Sequence, residues 1–165
     1  MFSLALAGLA GYMDLYDMAR LTASVGAGVS GGALFAFSSF VMPALRRSPD
    51  GVGLRAMQAI NAAAPRPSFM IPLFGTGALG AGVAAVGLAR GDGPAVLPAA
   101  LLYAAALAIT VGYHVPRNDA LARLDPASPT SREPWRRYLA EWTRANHVRT
   151  AAAIAAAALF ALPSR

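Results

Sequence analysis

The sequence predicts an all-α integral membrane four-helix bundle with amphipathic interfacial helices in its two long loops. Three observations carry this: a composition 56% hydrophobic but only 13% charged, four apolar runs of spanning or near-spanning length, and arginines gathered between those runs. A length of 165 residues fits a single domain. All 14 basic residues are arginine, and with 8 acids the net charge is +6. In a water-soluble protein such an excess would point to nucleic acid. Here the arginines avoid the apolar runs, so topology explains them better and no nucleic-acid partner is expected. The absence of cysteine excludes disulfides, iron–sulfur clusters and thiolate metal sites.

The elements follow in chain order. The opening MFSLALAGLAGY is apolar but too short to span, and Asp14 and Asp17 follow it. No basic residue precedes Arg20, unlike a secretory signal. Residues 1–17 are therefore expected to lie at the membrane interface, or to reflect a start site read too early, with translation beginning at Met13 or Met18. The first span runs from about 21 to 45 and the second from 68 to 88. The third runs from 95 to 115, where Pro116, lacking an amide donor, is expected to end it. The fourth is the alanine-rich run near the C-terminus. Thr150 to Leu162 alone gives about 20 Å of helix, short of the ~30 Å hydrocarbon core, so the span must borrow upstream residues and is placed at 146–162. No glycine or proline separates it from WRRYLAEWTRANHVRT, so one continuous helix is expected, capped by Thr130 or Ser131 with Glu133 in its first turn.

The loops set the orientation. Arg46, Arg47, Arg55 and Arg66 lie between spans one and two, and Arg117, Arg123, Arg132, Arg136, Arg137, Arg144 and Arg149 between three and four. The other side carries Arg20, Arg90 and Arg165. This asymmetry predicts a multi-pass protein of the cell membrane with both long loops cytoplasmic and both termini outside. In the first loop, GVGLRAMQAINAAA has its apolar residues at roughly helical spacing, which predicts an amphipathic interfacial helix before Pro65 and Pro67 break it.

Polar residues converge at the cytoplasmic ends of the helices. Trp135, Tyr138, Trp142, Asn146 and Arg149 follow three- and four-residue steps and form one stripe, expected to face the bundle interior. Tyr113, His114 and Asn118 close span three at the same depth, and Gln58 and Asn61 share a face of the loop helix. In so apolar a chain this is a functional hypothesis by default, weighed against polar groups that merely satisfy helix ends or snorkel to headgroups. In span one, Gly28 and Gly32 lie four apart and are expected to pack against another helix. Phe35, Phe37, Phe40 and Met42, with Ser38 and Ser39, form either core filling or the wall of an aromatic pocket. Phosphate loops, HExxH helices and GxSxG elbows are absent, and two histidines without cysteine make a poor zinc site, so no metal ligand is assigned.

The blocks FAFSSFVMPAL, AMQAIN, HVPRNDAL and WTRANHVRT together resemble the ordered motifs of the anthrone oxygenase-like membrane proteins, from about Gly28 to Thr150. Relatives in that family oxidise anthrones to anthraquinones without a bound metal or flavin. The resemblance carries over to Val115, Pro116, Asn118 and Leu121, and to Trp135, Trp142, Asn146, His147, Arg149 and Thr150. It departs at His114, where the family often has asparagine, at Ala145, where it often has tryptophan, and at Arg117, which replaces a usually apolar residue. It implies a cofactor-independent oxygenase acting on a lipophilic aromatic, with the bilayer, a hydrophobic aromatic small molecule and O2 as partners and room for a homo-oligomer. In such a site His147 or His114 would be the base. Arg149 and Asn146 would hold the oxyanion, with Asn118 a further catalytic candidate. Trp142, Tyr138, Phe35, Ser38, Gln58, Asn61 and Tyr113 would bind the substrate. The alternative is a non-enzymatic small membrane protein, a transporter or a helper that packs against a partner.

Overall fold

The structure is a computed structural model that describes residues 14–91 and 95–163. Most of the N-terminal segment assigned to the interface or to an early start lies outside the described residues. Those residues form five helices and no strand: α1 (Leu15–Arg47), α2 (Asp50–Ala63), α3 (Pro67–Arg90), α4 (Val96–Ala122) and α5 (Arg132–Ala161). A short 3-10 turn, Pro129–Ser131, leads into α5.

Helix α1 starts earlier than the apolar run because the Asp14 carboxylate caps it, accepting from the Asp17 amide at 2.9 Å. Arg20 is tolerated inside it because its guanidinium donates to Asp17 Oδ1 and to the Phe160 carbonyl, each at 3.1 Å. Helix α5 is a single helix of 30 residues, as its uninterrupted sequence requires. Its start is capped differently from the expectation: Ser128, not Thr130 or Ser131, accepts a backbone amide, that of Thr130, and Ser131 makes no side-chain cap bond.

Pro116 does not end α4. The five residues before Val115, Thr110–His114, wind as a π turn in which the Val115 amide bonds the Thr110 carbonyl, five residues back. The wider turn absorbs both the missing donor and the bulk of the ring, and the helix runs on to Ala122. The same device recurs in α1, where Phe37–Val41 is a π turn just before Pro43, and in α3, where Ile71–Gly75 contains Pro72.

Helices α1, α5, α4 and α3 close into a ring in which each packs on two neighbours. Helices α1 and α5 are antiparallel: Arg20 meets Phe160 at one end, Ser24 Oγ donates to the Ala157 carbonyl at 2.8 Å, and Asn146 meets Leu34 toward the other end. Close approach uses glycines other than those expected. A Cβ on Gly31 would lie 3.0 Å from Ile154 Cγ1, and one on Gly26 would overlap Thr76 Oγ1. Gly28 and Gly32 instead lie on the exposed side of α1; a Cβ on Gly28 would only touch Ala157 at 4.0 Å, and one on Gly32 would meet nothing.

Two apolar clusters result. One joins Ala23, Ala27 and Leu34 to Val83, Tyr103, Ala153 and Phe160. The other joins Met42, Leu54, Met57 and Leu121 to Trp135, Leu139 and Trp142, so the apolar face of α2 packs on protein. Outward surfaces are apolar too. Helices α1, α3 and α4 are each long and apolar enough to cross a membrane, with mean hydropathies of 1.6, 1.7 and 1.9, yet only 28, 28 and 22% of those windows is buried. Apolar surface turned outward on that scale fits lipid as the surrounding medium.

Candidate functional site

A polar layer separates the two clusters, at the level of the π turns. Asn146 is fully buried, and its amide donates to the Leu34 carbonyl at 2.8 Å and to Ser38 Oγ at 2.7 Å. With both donor directions used, its Oδ1 is fixed as an acceptor for Arg149 Nε at 2.8 Å. Arg149 Nη1 donates to Thr110 Oγ1 at 3.2 Å, and the guanidinium sits 5.0 Å from the centre of the Trp142 ring. No carboxylate pairs with it among the described residues. Nη2 keeps its donors free and is not sealed from the cavity that Arg149 lines. Each π turn serves this layer: the first offers Ser38, the third offers Thr110 and His114, and at the second the Leu73 carbonyl accepts from Tyr103 Oη at 3.0 Å.

The cavity beside Arg149 holds about 700 Å³. Helices α3 and α4 pack along Thr76–Arg90 and Val96–Ile109, and the cavity lies beyond, where Leu73 and Phe74 of α3 face Thr110, His114, Val115 and Asn118 of α4. Phe37, Phe69 and Trp142 add aromatic wall, and Ile60, Gln58 and Asn61 of α2 close one end. Phe37 and Trp142 stand 5.5 Å apart, ring centre to ring centre.

Asn118 is oriented by two donors. Tyr138 Oη at 2.8 Å and Trp142 Nε1 at 3.1 Å both bond its Oδ1, leaving its amide donors for the cavity. Asn61 donates to Tyr138 Oη at 3.4 Å, and Gln58 donates to the carbonyls of Leu121 and Leu124, so each amide keeps its oxygen for other partners. Burial raises the Tyr138 phenol above its usual range, which keeps it protonated and donating.

The structure thus gathers Arg149, Asn118, His114, Trp142, Gln58 and Asn61 around one cavity, with Asn146, Ser38 and Tyr138 directly behind it. It separates three expected members. His147 is exposed on the outer face of α5, about 100° from Asn146 around the helix. Phe35 is 55% exposed and points outward, and Phe37 lines the cavity in its place. Tyr113 lies outside the lining, under the Arg117 guanidinium at 3.4 Å. His114 borders the cavity, edge-on to Trp142 at 4.6 Å, but both its ring nitrogens are sealed and without a partner. Of the three departures from the family pattern only His114 lines the cavity; Arg117 pairs with Glu141 at 3.5 Å on the outer side, and Ala145 lies elsewhere. Of the aromatic set in span one it is Phe37 that lines the cavity, and Thr110 and Asp119 are lining residues that the sequence reading missed. Thr110 was within reach, since it stands one turn before His114 and so on its face.

Chemically, the arrangement is an apolar, aromatic-walled chamber with an unpaired cation and a fixed amide donor turned into it, suited to a flat ligand that carries or develops negative oxygen. No curated protein and no solved structure matches the chain. A family model described as anthrone oxygenase matches residues 63–159, more than half of the sequence and all of the cavity wall from α3 onward. The chain belongs to the anthrone oxygenase family.

Proposed function

We propose that this protein is a membrane-embedded oxygenase that converts an anthrone-type lipophilic aromatic to the corresponding quinone. The observation that carries the reading is Arg149: a buried guanidinium with no carboxylate partner, one nitrogen open to an aromatic-walled cavity. A buried charge without a counter-ion is costly. A ligand that supplies an oxyanion offsets that cost most where its charge is largest, which is the requirement for catalysis. Loss of a proton from the carbon between two aryl rings places the electron pair on the carbonyl oxygen across the ring, an anion that reduces O2 itself. No cofactor is needed for that step.

In this reading the chain crosses the cell membrane four times. The apolar half of α5 serves as the fourth span, since Phe160 reaches the level of Arg20 on α1 and the helix runs the length of the bundle. Helix α2 lies at the cytoplasmic interface. Arginine placement supports this orientation: Arg20 and Arg90 flank the outer end, whereas Arg46, Arg47, Arg55, Arg66, Arg117, Arg123, Arg132, Arg136, Arg137 and Arg144 lie on the segments that join the spans at the inner end.

The test is aerobic oxidation of an anthrone by the purified protein in detergent, followed by quinone absorbance. Wild type should form quinone above the rate in buffer, and Arg149→Ala should lose on the order of 100-fold or more. Quinone formation by Arg149→Ala at the wild-type rate would refute the reading.

A further inference from the structure

The proposed oxidation needs a proton acceptor, and neither histidine supplies an accessible one: His147 faces outward and both ring nitrogens of His114 are sealed. One acid borders the cavity. Asp119 follows Asn118 on α4, lies in the cavity lining, and has neither an ion pair nor a hydrogen bond among the described residues. Every other acid described has a partner or lies away from the cavity.

We propose that the Asp119 carboxylate is the general base of this site, a reading that rests on the proposed oxygenase function. Its placement relative to Arg149 supports this. Arg149 is bonded to Thr110, nine residues before Asp119 on the same helix, so the cation and the carboxylate stand at different levels of one cavity wall, Asp119 at its exposed rim. A ligand whose acidic carbon and carbonyl oxygen lie on opposite sides of one ring presents the carbon toward a base at one level of this wall and the oxygen toward the cation at the other. The aromatic walls Phe37 and Trp142 keep the ring in plane between the two charges.

The step balances as follows. Asp119 takes one proton from the methylene carbon, and the C–H electron pair delocalises to the oxygen held by Arg149. The carbanion transfers electrons to O2 and forms a C–O bond, and the peroxide oxygen takes the proton back from Asp119. Loss of the second C–H proton with cleavage of the O–O bond leaves the new carbonyl and one molecule of water. The methylene carbon is oxidised and O2 is reduced.

The experiment reads proton removal apart from oxidation. An anthrone is incubated under argon in D2O with the detergent-purified protein, and deuterium uptake at its methylene is followed by NMR. Wild type should accelerate exchange over buffer, Asp119→Asn should lose about 100-fold of that acceleration, and Asp119→Glu should keep part of it. Thermal midpoints should match wild type, because Asp119 has no internal partner to lose. Undiminished exchange in Asp119→Asn, or no exchange by wild type above buffer, overturns the proposal. If wild type exchanges but forms no quinone in air, and Asp119→Asn loses exchange, Asp119 stands as a base and the oxygenase reading fails.

Discussion

Asn146 shows how one side chain can be structural and functional at once. Its amide satisfies a backbone carbonyl on α1, and its oxygen aims Arg149 at the cavity. The single-residue contacts that hold the bundle closed are elsewhere, at the glycines facing α3 and α5. Gly26→Ala drives a methyl into Thr76 Oγ1, a buried side chain with little room to turn, and should cost about 1–3 kcal/mol, read as a lower thermal midpoint in detergent. Gly32→Ala meets open space and should leave the midpoint unchanged or raise it, by up to about 1 kcal/mol from helix propensity. Equal midpoints for the two variants would contradict the assignment of Gly26 to the helix contact.

At the scale of the element, apolar runs and their flanks announced the helices, and the continuity of α5 followed from a span too short without its upstream residues. The stripe from Trp135 to Arg149 was legible because the π turns lie in α1, α3 and α4, so α5 keeps regular 3.6-residue spacing. The π turns themselves were not legible. Proline reads as a helix stop, and nothing in the local sequence of Pro116 distinguishes a stop from a widened turn. The consequence was specific: α4 was ended too early. Gly28 and Gly32 were misplaced for a different reason, because small residues cover several faces of α1 and spacing alone does not choose among them. The orientation proposed for the spans has its own check. Reporter fusions at Gly91 should read outside and fusions at Ala127 inside; the opposite result at both would reverse the topology.

For the whole molecule, the two apolar clusters and the polar layer between them divide the work. The alanine-rich cluster lets four helices approach closely at one end. The bulky cluster of Trp135, Trp142, Met42 and Met57 anchors α2 at the other. Between them the π turns turn polar groups inward, and α3 and α4 part to leave the chamber. Asp119 has no partner among the described residues, so variants there can be judged against an intact fold, whereas Arg149 is bonded to Asn146 and Thr110 and its variants need a thermal midpoint beside the activity. In the proposed reaction this chamber holds the aromatic with its oxygen on Arg149. An experimental structure of the detergent-purified protein with the quinone product bound tests it most directly. The expected result is a flat ligand lying against the Phe37 and Trp142 wall with one oxygen within about 3 Å of the Arg149 guanidinium. A ligand bound on the outer face of the helices, with the chamber empty, would contradict it.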